Sequence, residues 1–143
     1  MLDKDLVQRK IALIQDDLNH LTEYENLTIA DINKDFVTQA VVERILERTI
    51  GRALDINQHI IAECGSGLET VKRYRDTFLR LVDLKIYSRP FAESIAKSTG
   101  LRNAIVHEYN NIDPDILHKS IGQAVKEFNE YSQYIMAFLD QRI

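Results

Sequence analysis

The chain has 143 residues, of which 45% are hydrophobic and 28% charged, as in an ordinary globular protein. Five glycines and two prolines are too few for a turn-rich β-sandwich or β-barrel, so helices are favoured. The single cysteine excludes an internal disulfide and a four-thiolate zinc site, and it fits the reducing cytoplasm, where we expect the protein to be located. No run of about 18 apolar residues is present, so no membrane segment is predicted.

The formal net charge is −4, but the charge is unevenly distributed. Residues 72–102 carry eight basic and three acidic side chains, whereas the segments on either side are acidic. Because salt screens charges beyond about 10 Å, a basic segment can attract phosphate groups even within an acidic protein. A solvated helix face is the alternative, and composition alone favours it.

Apolar residues recur at helical spacing along the chain, and no segment alternates like a half-buried strand. The first predicted helix covers 3–25, and residues 26–33 interrupt the pattern. The apolar face of this first helix consists of Leu6, Leu13, Ile14, Leu18 and Leu21. The second predicted helix runs from about Asp35 to Glu63 and ends at the GSG of 65–67. Its apolar stripe consists of Val42, Leu46, Ile50, Ala53, Ile56, Ile60 and Cys64.

Three further helices are predicted in the second half of the chain. The third covers about 70–84, with Tyr74, Phe78, Leu81 and Val82 on its apolar face. Ser88 with Pro90 resembles a helix start, and that helix runs to about Asn110 with a possible kink at Gly100. Asp113 with Pro114 repeats the start signal for a helix that ends near Asp140. The prediction is an all-α, up-and-down bundle of about five helices in one domain over 1–143.

The common metal and nucleotide motifs are missing from the sequence. There is no HExxH pair, no Cys/His cluster with metal-ligand spacing, and no GxxxxGK[ST] or GxGxxG loop. No metal site is therefore predicted. Cys64 lies on the apolar stripe of the second helix, which predicts a buried structural thiol.

The densest polar cluster lies near the end of the fourth predicted helix. At about 100° per residue, the cluster occupies an arc of about 160° that includes Arg102, Asn103, His107, Tyr109 and Asn110. A histidine can take or give a proton near neutral pH, and an arginine offers a charged fork to phosphate oxygens. Together they suit activation of a ribose 2′-hydroxyl for attack on the adjacent phosphate, a reaction specific to RNA. The alternative is a helix end whose polar side chains make only structural hydrogen bonds.

A second polar constellation lies on the long helix. Arg48, Arg52, Asp55 and His59 fall within an arc of about 60°. One interpretation is an ion-pair ladder between residues four apart. In the other, Asp55 orients a site residue or the arginines hold phosphates.

The polar cluster near the end of the fourth predicted helix contains an Arg-x4-His-x-Tyr pattern, formed by Arg102, His107 and Tyr109. The pattern resembles the signature of the HepT-like branch of the HEPN superfamily. The resemblance extends over about residues 36–140. It includes AVVERILERTIGRALDINQHII, which is similar to the family's long helix, and the Leu-Arg-Asn that precedes the histidine.

The resemblance implies an all-α homodimer in which two Arg/His motifs form one composite site. It implies a metal-independent endoribonuclease that acts as the toxin of a type VII-like toxin–antitoxin system. By this resemblance, Arg102 and His107 are catalytic, and Asn103 and Asp55 support them. Tyr109 is the residue to which a nucleotidyltransferase antitoxin of the MNT type transfers AMP. Cleavage of RNA is expected to need no cofactor, whereas modification by the partner is expected to need ATP and Mg²⁺.

Two other interpretations remain open at this point. A non-catalytic module could hold nucleotides or a nucleotidyltransferase without cutting RNA, and the net charge of −4 favours this because most nucleases are basic. A purely structural helical protein with accidental polar residues is the second alternative.

Overall fold

The structure is a computed structural model that describes residues 1–65, 71–107 and 112–142. These residues form seven helices and no strand. The helices are α1 (Lys4–Thr22), α2 (Ile29–Lys34), α3 (Phe36–Cys64), α4 (Tyr74–Asp83), α5 (Arg89–Ala96), α6 (Ser98–His107) and α7 (Pro114–Gln141). The all-α prediction is confirmed, and the helical segments outnumber the five that the sequence predicts.

The start signals read from the sequence are confirmed at two helices. The side-chain oxygen of Ser88 accepts a hydrogen bond from the backbone N–H of Phe91 at the start of α5. The carboxylate of Asp113 accepts one from Asp115 N at the start of α7. In each helix a proline in the first turn occupies a position that needs no backbone donor.

The short helix α2 falls in the segment that interrupts the predicted pattern. Thr28 and Asp31 form a capping box, in which each side chain accepts a hydrogen bond from the other residue's backbone N–H. This reciprocal cap stabilises six residues that have only Ile32 buried. Periodicity does not predict this helix because one buried residue gives no repeat.

The fourth predicted helix is divided in two, and the predicted kink at Gly100 is wrong. The break lies at Lys97, where the backbone N–H bonds three residues back to the carbonyl of Ser94. The hydroxyls of Ser98 and Thr99 donate to the carbonyls of Ile95 and Ala96 at the end of α5. Side-chain hydroxyls that compete for helix carbonyls favour a break at this serine–threonine pair.

The core lies where α3 contacts α1, α4, α6 and α7, and α1 also packs against α7. The predicted stripe of α3 is buried from Val42 to Ile60, which confirms that assignment. Cys64 is only half-buried at the edge of the core, so the predicted buried thiol is partly wrong. Leu13 of α1 is exposed, because the buried face of α1 consists of Val7, Ile11, Ile14, Leu18 and Leu21.

A buried polar chain connects α7, α3 and α4. The hydroxyl of Tyr131 donates to Oδ1 of Asn57 at 2.5 Å, and Asn57 Nδ2 donates to the hydroxyl of Thr77 at 3.1 Å. Thr77 in turn donates to the carbonyl of Tyr74 at 2.7 Å. Burial of such polar groups costs free energy unless they are paired, so these hydrogen bonds fix the start of α4 relative to α3.

Helix α3 ends just before Gly65, where the backbone lies close to the preceding helical turn. A β-carbon at Gly65 would lie 2.9 Å from the carbonyl oxygen of Ile61, closer than side-chain carbons approach. Glycine therefore permits the end of α3 at this position, as the sequence predicts. None of the helices in the described ranges has both the length and the hydropathy that a membrane span requires.

Candidate active site

Arg102 of α6 is half-buried and lies over the side chain of Tyr74. Its guanidinium carbon is 5.6 Å from the ring centroid, within the range of a cation–π interaction. Tyr74 is the first residue of α4, whose position the Thr77 hydrogen bond to its carbonyl helps to set. The aromatic ring therefore limits where the guanidinium can lie.

Arg102 also forms part of a concavity on α3, which we call the arginine concavity. Its volume is about 360 Å³, and its lining residues are Arg44, Glu47, Arg48, Gly51, Arg52, Asp55 and Arg102. Arg102 passes close to the α3 backbone at Gly51, where a β-carbon would lie 3.8 Å from Arg102 Nε. Four guanidinium groups and two carboxylates line it, so its lining carries an excess of two positive charges.

A buried carboxylate holds two of these arginines. Asp17 of α1 is 2% exposed, and its two carboxylate oxygens accept hydrogen bonds from Arg48 and Arg52, one each. The hydrogen bond that Arg48 donates to Asp17 raises the pKa of the Arg48 guanidinium above its usual value. Arg52 also donates to the carbonyl of Leu13. Leaving a buried charge without its partners costs about 3–5 kcal/mol, so this pairing joins α1 to α3.

The ion-pair ladder considered along α3 is wrong, because these residues pair with α1 and with the segment before it. Asp55 is paired with Lys10 at 3.3 Å, and Nε2 of His59 accepts a hydrogen bond from Asp3 N at 3.0 Å. Asp55 nevertheless lines the arginine concavity together with Arg102. The structure thus brings one predicted supporting residue to the same surface as the motif arginine.

Asn103 and His107 are both exposed on α6. Asn103 lines a neighbouring cleft of about 590 Å³ with Tyr74 and Gln58, on the side of the basic residues Lys72 to Arg75. His107 is the last residue of α6. Tyr109 and Asn110 lie outside the described residues. Among the residues that are described, no group of three or more His, Cys, Asp and Glu side chains is placed to hold a metal ion.

Sequence reasoning missed two residues that shape this surface. Periodicity assigns Tyr74 to the apolar face of its helix, but Tyr74 is half exposed and supports Arg102. The sequence pattern did not lead to a role for Asp17, although this residue lies among Ile14, Leu18 and Leu21 on the buried face of α1. A lone carboxylate on an apolar face predicts a buried, paired charge, and that signal could have found it.

The family assignment follows from a comparison of the whole sequence. The model of the family described as ribonuclease HepT-like matches residues 14–135. The chain belongs to the HepT-like ribonuclease family. This confirms the resemblance drawn from the Arg102, His107 and Tyr109 spacing and makes the chain an endoribonuclease by class.

Curated relatives of this HepT-like chain are named as RNA nucleases. It is 34% identical over 136 residues to the tRNA nuclease HepT of Aphanizomenon flos-aquae, covering 94% of this chain and 90% of that one. It is 26% identical over 133 residues to the mRNA nuclease HepT of Shewanella oneidensis, covering 93% and 98%.

A solved structure supports the fold. The chain is similar to the tri-AMPylated HEPN toxin of Shewanella oneidensis in complex with its MNT antitoxin, with a TM-score of 0.78 and 24% identity. The match covers 94% of this chain and 99% of that chain. The HEPN-like bundle is therefore confirmed.

Proposed function

We propose that this HepT-like chain is the toxin of a toxin–antitoxin pair and that it cleaves RNA through Arg102 and His107 without a metal ion. The observation that carries the proposal is the environment of Arg102. Its guanidinium lies over Tyr74 and beside an electropositive concavity, and its Nε is buried without a hydrogen-bond partner among the described residues. A cation in this setting suits binding of a phosphate group.

In the proposed reaction, His107 removes the proton from a ribose 2′-hydroxyl. The 2′-oxygen attacks the adjacent phosphorus, and the bond from phosphorus to the 5′-oxygen breaks. A second His107, from the other copy in a homodimer, protonates the departing 5′-oxygen. Arg102 stabilises the added negative charge of the pentacoordinate phosphate. The products are a 2′,3′-cyclic phosphate and a 5′-hydroxyl. Asn103 and Asp55 support Arg102 and His107 in this proposal.

An exposed apolar patch supports the proposed homodimer. Phe36 and Val37 at the start of α3 are 74% and 66% exposed, and Val41 extends the patch one turn further. The groove beside this patch is also lined by Arg44 and Arg48, which line the arginine concavity as well. A second copy seated on the patch would cover these exposed apolar side chains, as a symmetric interface does.

Neutralisation is proposed to occur by AMP transfer to Tyr109. The tyrosine follows His107 by two residues in the sequence, and a phosphate attached to this motif residue would add negative charge that repels RNA. A nucleotidyltransferase of the MNT type is proposed as the partner, with ATP and Mg²⁺ as its requirements. The structural relative from Shewanella oneidensis, a tri-AMPylated toxin in complex with an MNT antitoxin, supports this pairing.

The product ends test the proposed chemistry. The purified chain is incubated with single-stranded RNA in excess EDTA, and the new ends are characterised by mass spectrometry. Cleavage that persists and leaves 2′,3′-cyclic phosphates is expected. Cleavage that EDTA abolishes, or that leaves 3′-hydroxyl ends, would contradict the mechanism.

The alternative is a non-catalytic module that binds nucleotides or its partner, and the acidic net charge favours it. RNA binding without cleavage under any of these conditions would support that alternative. The modification is tested separately by intact mass after incubation with the cognate partner, ATP and Mg²⁺. Increments of AMP mass are expected on the parent, and equal increments on Tyr109→Phe would refute this site.

A further inference from the structure

We propose that the arginine concavity is a second phosphate subsite that binds an RNA backbone phosphate next to the scissile one. This inference rests on the proposed ribonuclease function and extends it to residues outside the Arg102 to Tyr109 motif. The proposed ligands are Arg52 and Arg44, and Asp17 is proposed as a positioning residue that holds Arg52 and Arg48.

The surface of the concavity is positively charged. The lining of the concavity has two more guanidinium groups than carboxylates, although the whole chain is acidic. Its carboxylates are paired, Glu47 with Arg44 at 3.4 Å and Asp55 with Lys10 at 3.3 Å. With Asp17 bound to Arg48 and Arg52, and Lys10 bound to Asp55, five cations face three carboxylates, and this excess favours a polyanion despite the net charge of −4.

Two of the arginines are held in place by hydrogen bonds. Each oxygen of the buried Asp17 accepts one guanidinium hydrogen bond, so Arg48 and Arg52 are fixed side by side along α3. A fixed guanidinium loses less conformational entropy on binding than a mobile surface side chain.

Two guanidinium donors beside the concavity have no hydrogen-bond partner among the described residues. The Nε atoms of Arg48 and Arg102 are buried, and neither has a hydrogen-bond partner in the part of the chain that the structure describes. Buried donors without partners are unusual in proteins, and a bound ion is one of the physical explanations for them. Both side chains line the arginine concavity.

The position of the concavity beside Arg102 favours RNA as the occupant. Arg102, the residue proposed to contact the scissile phosphate, lines the same concavity as Arg44 and Arg52. A single nucleic-acid strand carries a phosphate at every nucleotide, so a strand held at Arg102 offers a neighbouring anion to this surface. An acidic protein surface is the competing occupant, and a binding measurement distinguishes the two.

The test measures binding of a fluorescein-labelled 2′-O-methyl RNA oligonucleotide, which lacks the attacking hydroxyl, over a range of salt concentrations. Arg52→Gln and Arg44→Gln are each expected to weaken binding about tenfold, since a charge-assisted hydrogen bond is lost. Each is also expected to reduce the slope of log affinity against log salt by about 0.7. Arg89→Gln is the control, because Arg89 is exposed in an ion pair with Glu93 on α5 and does not line the concavity.

Arg52→Gln removes a partner of the buried Asp17, so this variant can fail to fold. Arg44→Gln keeps the test valid in that case, because Arg44 pairs with Glu47 of its own helix, whereas the partners of Asp17 are Arg48 and Arg52. Asp17→Asn is expected to raise KM for cleavable RNA while leaving kcat unchanged. Loss of this buried charge is expected to lower the melting temperature in either case, and a role confined to stability would do so without raising KM.

Unchanged affinity and salt slope in both arginine variants would overturn the inference and would favour an acidic protein as the occupant. Losses no larger than that of Arg89→Gln, or a parent chain that does not bind this RNA, would overturn it as well. The two proposals fail separately. A parent that binds the oligonucleotide through Arg44 and Arg52 but cuts no RNA contradicts only the proposed function.

Discussion

At the scale of single residues, the site depends on what surrounds Arg102. Its motif spacing to His107 could be read from the sequence, and the family match confirms the resemblance. Its support by Tyr74 could not be predicted, because the two residues are 28 positions apart and meet only through the packing of α4 and α6. Periodicity places Tyr74 on an apolar face, whereas its ring serves as a platform for a cation.

Replacing Tyr74 tests whether this platform positions Arg102. Tyr74→Leu removes the aromatic face and is expected to lower kcat for RNA cleavage about fivefold, since a cation–π contact contributes about 1 kcal/mol. Tyr74→Phe retains the face and is expected to cleave like the parent. Single-turnover rates at saturating RNA give the comparison, and equal loss in both variants would argue that the hydroxyl, not the ring, is responsible.

At the scale of elements, sequence signals located the starts of helices better than their ends. Ser88 and Asp113 predict the starts of α5 and α7 because a cap is a local interaction between a side chain and the next turn. The division at Lys97 escaped prediction because both neighbouring helices continue the same apolar pattern. This division sets the direction of α6, and therefore of Arg102 and His107, relative to α5.

The cap of α5 gives a prediction at this scale. Ser88→Ala removes the acceptor for the N–H of Phe91 and is expected to lower the free energy of unfolding by about 1 kcal/mol. Ser120→Ala is a matched control, since Ser120 lies within α7 and bonds back to the carbonyl of Ile116. Urea denaturation monitored by circular dichroism measures both. A loss in the control as large as in Ser88→Ala would contradict the assigned role of the cap.

At the scale of the whole molecule, the long helix α3 connects the core to the site. One face supplies the apolar stripe and Asn57, and another supplies Arg48 and Arg52 to the arginine concavity. The stripe was predictable because a helix repeats every 3.6 residues. The pairing of its polar face with Asp17 was not, because it depends on how α1 lies against α3.

Two buried tyrosines predict how the stability of the whole fold depends on pH. Burial raises the pKa of Tyr87 and of Tyr131 well above the usual value, and both hydroxyls donate within the core. In the unfolded chain these groups lose their protons near pH 10, whereas the folded chain keeps them. Their contribution is therefore complete below about pH 10 and is lost as the pH rises further, by about 1.4 kcal/mol per pH unit for each tyrosine.

Denaturation by urea between pH 9 and pH 11 measures this loss. The free energy of unfolding is expected to fall above pH 10, and Tyr87→Phe is expected to make the fall shallower. Ultraviolet absorbance of the folded chain should show that these two tyrosines ionise only on unfolding. Ionisation of both near pH 10 in the folded state would contradict the assignment.

The central claim is that Arg102 and His107 carry out RNA cleavage. The measurement that tests it most directly is the single-turnover cleavage rate of Arg102→Ala and of His107→Ala, with Arg89→Ala as a control for the loss of an exposed charge on α5. Both motif variants are expected to keep the helical circular dichroism spectrum and to lose cleavage, while the control cuts RNA at the parent rate. A folded His107→Ala chain that cuts RNA as fast as the parent would contradict the account.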